Sequence, residues 1–82
     1  MREHSYSSAF ADLVRERRME MGLTQREAAE LCGLDQTAIS DIELGRNLNP
    51  AAVTLKGLHL GMGLDPLRII ELVTHREVQP LR

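Results

Sequence analysis

Turn-forming residues recur along this chain at intervals too short for any long element. Gly22, Gly33 and Gly45, then Asn49-Pro50 and Asp65-Pro66, bound five segments long enough for a helix. Each segment carries apolar residues at helical spacing, and none alternates apolar with polar residues as a half-buried strand would. The first helix is expected from Ser7 or Ser8, with Phe10, Leu13, Val14, Arg17 and Met21 on one face and Gly22 closing it. In the second, Thr24-Gln25-Arg26-Glu27 reads as a capping box, in which threonine and glutamate each satisfy the other's backbone N–H. Its inner face is Ala28, Ala29, Leu31 and Cys32, and Gly33 ends it after about two turns.

The third helix is expected from an Asp35 N-cap to about Leu44, with Gly45 as its stop. Helices four (about Pro50–Met62) and five (about Pro66–His75) repeat one device, a capping side chain before a proline whose missing N–H is harmless at the first helical position. Residues 1–6 read as a frayed arm that includes Tyr6, and residues 78–82 as a tail. The expectation is an all-α, five-helix bundle forming one domain over residues 1–82. Connections of two to five residues keep it compact.

Composition excludes several functions. Aromatic residues are only 2% of the chain, too few for a platform that stacks single-stranded bases. Ten basic against twelve acidic residues give a net charge of -2, so no basic footprint announces a nucleic acid. A single cysteine can neither staple the fold nor build a zinc site, which favours a reducing, cytoplasmic setting. Cys32 itself reads as a small buried hydrophobe rather than a redox sensor. No apolar run reaches the length of a membrane span, and the first residues lack the apolar stretch of a signal peptide. His4, His59 and His75 have no metal-ligand spacing, and neither a phosphate-cradling glycine loop nor a nucleophile–base pair is present, so no enzyme, metal or cofactor is expected. A domain this small gains only about 3–5 kcal/mol from one core, and without a disulfide or metal the expected supplement is self-association.

The informative stretch is Leu23–Arg46, LTQREAAELCGLDQTAISDIELGR. Two short helices joined by a tight turn at Gly33 form a helix-turn-helix arrangement (about helix two through Gly45). Glycine there meets the demand for positive φ without steric cost. Ala29 keeps the two helices close, and Ile39 is the apolar plug between them. At about 100° per residue, Ala38, Ile39 and Ile42 group on one side of the third helix, while Gln36, Thr37, Ser40, Asp41 and Leu44 group on the other. That outward set is short and mostly able to hydrogen-bond. Glutamine can bond adenine bidentately and threonine can reach a base or a thymine methyl, whereas Asp41 can accept from cytosine but repels phosphate.

On these residues the chain resembles the Cro and phage-repressor type of helix-turn-helix proteins, the Xre-like family. The matching elements are Gly22-Leu23-Thr24-Gln25, Ala28-Ala29, Gly33-Leu34, Ile39-Ser40, Glu43 and Gly45-Arg46, then Pro50, Thr54-Leu55, Leu58 and Met62-Gly63-Leu64. The likeness spans roughly Phe10 to Ile70, and in size and layout the chain is similar to small restriction-modification controller proteins. It implies a lambda-repressor-like fold and a regulator that binds double-stranded DNA as a homodimer.

By the same resemblance Gln36 and Thr37 match the main base-reading positions, and Ser40 and Asp41 the next turn of contacts. Gln25 matches a glutamine that bonds phosphate and buttresses the reading helix; Arg26 is a further phosphate candidate, and Arg46 and Asn47 match backbone-holding residues. Phosphate contacts of this kind position a protein without specifying sequence. Arg18 and Glu43 match a pair that locks the reading helix, the alternative for Arg18 being direct phosphate contact. Arg15 and Arg17, like Arg26, are open between solvated charges and phosphate contacts.

Gly57 and Gly61 depart from the family pattern, and each should cost helix four up to about 1 kcal/mol relative to alanine. Leu60, with Leu64, Leu67 and Ile70, forms either a dimer seam or the rest of the monomer core. A rival function also follows from the resemblance: an antitoxin or adaptor whose main partner is a protein, such as a toxin or polymerase. The acidic balance lends that rival weight.

Overall fold

The computed structural model describes residues 5–74, and within them the chain forms five helices and no strand. They are α1 (Ser5–Glu20), α2 (Gln25–Cys32), α3 (Gln36–Glu43), α4 (Ala52–Met62) and α5 (Pro66–Thr74). α1 packs on α3 and α5, α2 lies between α3 and α4, and α4 also meets α5. Phe10 and Val14 of α1, Ile39 and Ile42 of α3, Leu58 of α4 and Ile69 of α5 meet in one core from which water is excluded.

Local chemistry accounts for most boundaries. The α2 capping box is complete: Thr24 Oγ1 accepts from the Glu27 N–H at 3.1 Å, and Glu27 Oε1 from the Thr24 N–H at 2.9 Å. Gly33 takes φ 67°, which lets the Leu34 N–H turn back to the Ala29 carbonyl at 2.9 Å. At α5 the Asp65 carboxylate accepts from the Leu67 N–H at 3.0 Å, directly before Pro66.

Other expectations need correction. α1 begins at Ser5 rather than at Ser7 or Ser8, so Ser5 and Tyr6 belong to the helix and not to an arm. Nothing in Ser5-Tyr6-Ser7-Ser8 breaks a helix, and the serines that suggest caps are tolerated within its first turns. Met21 lies beyond the end of α1 on an exposed turn. Leu31 is exposed; the buried arc of α2 is Ala28, Ala29 and Cys32, and Leu31 sits about 100° from its centre.

α4 starts at Ala52 with Ala51 as N-cap, so Asn49-Pro50 does not open it. The Asn49 N–H is held by Asn47 Oδ1 at 3.0 Å, and Pro50 is buried before the helix begins. Asp35 does occupy the α3 N-cap position, but its side chain makes no cap bond. His4 and His75, and the tail at 78–82, lie outside the described residues.

The two glycines of α4 also have a purpose that helix propensity conceals. A Cβ on Gly57 would lie 2.4 Å from the Cys32 carbonyl oxygen, and one on Gly61 2.7 Å from that of Leu31. Their absence of side chains lets α4 press against the end of α2. The cost in propensity is offset by that close packing.

Candidate nucleic-acid interface

α3 divides sharply between inside and outside. Ile39 and Ile42 are fully buried, whereas Gln36 and Thr37 in its first turn are exposed and Leu44 just beyond its end is 61% exposed. Ser40 and Asp41 are half-buried on the rim between these faces, and Ala38 is half-buried rather than sealed in the core. The four polar residues therefore lie along one accessible flank, and the helix is held from behind by its isoleucines.

What fixes the angle of α3 is a polar cluster at its far end. Arg18 Nε donates to Glu43 Oε2 at 2.7 Å and Arg18 Nη2 to Glu43 Oε1 at 2.9 Å, a two-pronged pair between α1 and α3. Arg18 Nη1 also donates to the Leu23 carbonyl at 2.9 Å, tying in the turn before α2. From α2, Gln25 Nε2 donates to Glu43 Oε1 at 3.1 Å. One buried carboxylate thus joins three helices.

Burial alone would push the Glu43 carboxyl up. Hydrogen bonds from Arg18 and Gln25, with the positive charges of Arg18 and Arg15, outweigh it and hold the group below the ordinary glutamate range. The same hydrogen bond raises Arg18 against the opposing effect of its own burial. Both groups are charged at neutral pH, and the charge of each is satisfied by the other.

Gln25 consequently buttresses α3 from within the cluster. Arg26 is exposed on α2, and the Arg46 side chain is 71% exposed after α3. Arg46 Nη1 lies 3.6 Å from Asp41 Oδ1, so a cation stands beside the one carboxylate on the outward flank. Asn47 Oδ1 is engaged in the turn to Asn49. The structure thus places Gln36, Thr37, Ser40, Asp41 and Arg46 together along α3 and its exit loop.

Two arginines left open by the sequence have specific partners. Arg15 Nη1 donates to Asp12 at 2.8 Å and its Nη2 to the Glu43 carbonyl at 3.0 Å. Arg17 Nε donates to the Met62 carbonyl at 2.7 Å, and Nη1 reaches Glu20 at 3.3 Å. A signal for Arg15 was available: it stands three residues before Arg18, hence on the same side of α1. The partner of Arg17, a carbonyl in α4, had none.

Leu60 and Leu67 are each 70% exposed, and Ile70 is exposed as well. Leu64 is not part of such a surface. Gly63 ends α4 at φ 72°, and the turn carries Leu64 back into the core, where its N–H reaches the Leu58 carbonyl at 3.3 Å. Cys32 is buried, and burial pushes its thiol up, away from the thiolate a redox sensor would use. The His59 ring Nδ1 lies 2.9 Å from the Leu64 carbonyl oxygen. Among the described residues no cluster of His, Cys, Asp or Glu is placed to hold a metal ion, and no helix is long and apolar enough to cross a membrane.

Comparison with known proteins agrees with this geometry. The family described as Helix-turn-helix matches residues 14–66, from the middle of α1 to the first residue of α5. No curated protein and no solved structure matches the chain.

Proposed function

The chain belongs to the helix-turn-helix family of DNA-binding regulators, of the Xre and lambda-repressor type, and we propose that it works as a homodimer on a near-palindromic operator. Each copy lays α3 in a major groove, and the two half-sites lie about 34–36 Å apart on one side of the duplex. Gln36 and Thr37 read base edges from the first turn, and Ser40 and Asp41 follow from the next. Arg26, Arg46 and Asn47 hold the phosphate backbone. Gln25 was a phosphate candidate by resemblance, and its bond to Glu43 supports the buttressing half of that role.

The observation that carries this reading is the exposure of Gln36 and Thr37 on a helix whose opposite face is sealed by Ile39 and Ile42. Such a helix can enter a groove without giving up any core contact. The net charge of -2 does not oppose it, because attraction to phosphate depends on the charges that face the duplex. Arg46 beside Asp41 offsets the repulsion that a bare carboxylate would bring to that edge.

The test is binding of duplex DNA from upstream of the chain's own gene, titrated with salt. Binding through several phosphates must weaken steeply as salt rises, through release of counterions. Gln36→Ala and Thr37→Ala should each cost about 1–3 kcal/mol of affinity. A salt-independent response, or no binding to any such duplex, contradicts the reading and favours the antitoxin or adaptor role, in which the principal partner is a protein.

A further inference from the structure

The last four carbonyl groups of an α-helix lack partners within it and must find them elsewhere. For α3 all four are met. The Ser40 carbonyl accepts from the Leu44 N–H at 2.9 Å, Asp41 from Arg46 at 2.8 Å and Ile42 from Gly45 at 3.0 Å. These three donors belong to the exit turn of α3 itself. The fourth carbonyl, that of Glu43, accepts from Arg15 of α1 at 3.0 Å. α3 has no basic residue of its own in its last turn, and this guanidinium is a cation placed at the negative end of the helix dipole.

From this we propose that Arg15 is a positioning residue for DNA reading: with Arg18 it grips Glu43 by its main chain as well as its side chain, and so sets how α3 is presented to the groove. Arg15 is thereby removed from the list of phosphate contacts that its charge alone suggests. The proposal rests on the DNA-binding function above.

The two arginines hold Glu43 at different points. Arg18 holds the Glu43 carboxylate, at the end of a two-carbon stem and so one step removed from the backbone of α3. Arg15, three residues earlier on the same side of α1, holds the backbone carbonyl directly. The two anchors thus hold one residue at two points, the side-chain carboxylate and the main-chain carbonyl. Asp12 completes the device by fixing the other prong of the Arg15 fork at 2.8 Å. Lysine could not replace it, because a single ammonium lacks the planar fork that meets Asp12 and the carbonyl together.

The experiment uses the full chain and the tightest duplex that the wild type recovers from a random pool. Wild type, Arg15→Gln and Arg15→Lys are compared for affinity, for the salt slope of binding and for discrimination against a duplex with altered half-sites. The expected result is a loss of roughly tenfold in affinity for both variants, which corresponds to about one charge-assisted hydrogen bond. Discrimination should fall as well, while the salt slope stays at the wild-type value.

A phosphate contact would behave differently. Arg15→Gln would then lower the salt slope by about one, Arg15→Lys would bind nearly as well as wild type, and discrimination would be unchanged. That pattern, or wild-type behaviour in both variants, overturns the proposal. A purely stabilising role would reduce the active fraction in step with thermal unfolding and leave discrimination intact, which also overturns it. Should Arg15→Gln fail to fold, Arg15→Lys carries the test: wild-type affinity and discrimination in that variant contradict the proposal. A wild type that recovers no duplex at all defeats the DNA-binding reading itself, a result distinct from any of these.

Discussion

Glu43 concentrates more consequence than any other residue of this chain. It is buried, charged and shared by three helices, and a buried charge is tolerable only while its partners stay in place. Glu43→Gln would leave Arg18 without its counter-charge and should cost about 3 kcal/mol in denaturant unfolding. A double replacement, Arg18→Met with Glu43→Leu, should recover most of that stability, since neither charge then needs a partner. A double variant whose loss equals the sum of the two single losses would show that the cluster is not a coupled pair.

Acid provides an independent check. The folded state holds the Glu43 carboxyl below its ordinary range, so near that range the unfolded chain binds more protons than the folded one. Its contribution is complete above the unfolded value of about 4.3 and is lost as pH falls through the lower folded value. Denaturant unfolding at pH 6 and pH 3 should therefore show a smaller acid loss in Glu43→Gln than in wild type. Equal losses would remove Glu43 from the account.

At the scale of the element, the contact between α2 and α4 is the informative one. In most exposed helices a glycine-to-alanine change is stabilising, because alanine favours the helix by up to about 1 kcal/mol. Here Gly57→Ala should destabilise by about 1–3 kcal/mol, since the new methyl meets a backbone carbonyl that cannot rotate away. Cys32→Ala should not rescue it, because the nearest obstacle at Gly57 is the Cys32 main-chain oxygen rather than its sulfur. Melting temperature decides the point, and a raised value for Gly57→Ala would refute the close-packing account.

The same contact marks the limit of what could be read in advance. Helix count, the capping box and the Gly33 turn were legible because each is written in neighbouring residues. The role of Gly57 and Gly61 was not, because it depends on where α2 ends in space. Leu64 escaped for a related reason. Its spacing with Leu60 suits a shared surface, but the left-handed turn at Gly63 breaks that register and sends it inward. The Arg18–Glu43 pairing came from family likeness, whereas the carbonyl partners of Arg15 and Arg17 required the packed backbone. Candidate reading positions on α3 were accessible to sequence reasoning because a helix with two buried isoleucines leaves few places for its polar residues.

For the molecule as a whole, size sets the expectation of partnership. A single core of this size supplies only about 3–5 kcal/mol, and Leu60, Leu67 and Ile70 present apolar area to solvent on α4 and α5. With Leu64 assigned to the core, these three are the residues we propose for the seam of a homodimer. Leu67→Glu should raise the protein concentration needed to occupy an operator, while sedimentation shows a shift toward monomer. An unaltered concentration dependence would exclude α5 from the interface.

The central claim, that the exposed flank of α3 reads bases, is tested most directly by selecting bound duplexes from a random pool with wild type and with Gln36→Ala. The account predicts that wild type enriches a paired half-site with centres one helical turn apart, and that Gln36→Ala loses preference at one symmetric pair of positions while keeping the spacing. Recovery of the same half-site by both proteins, or no enrichment by the wild type, would contradict it.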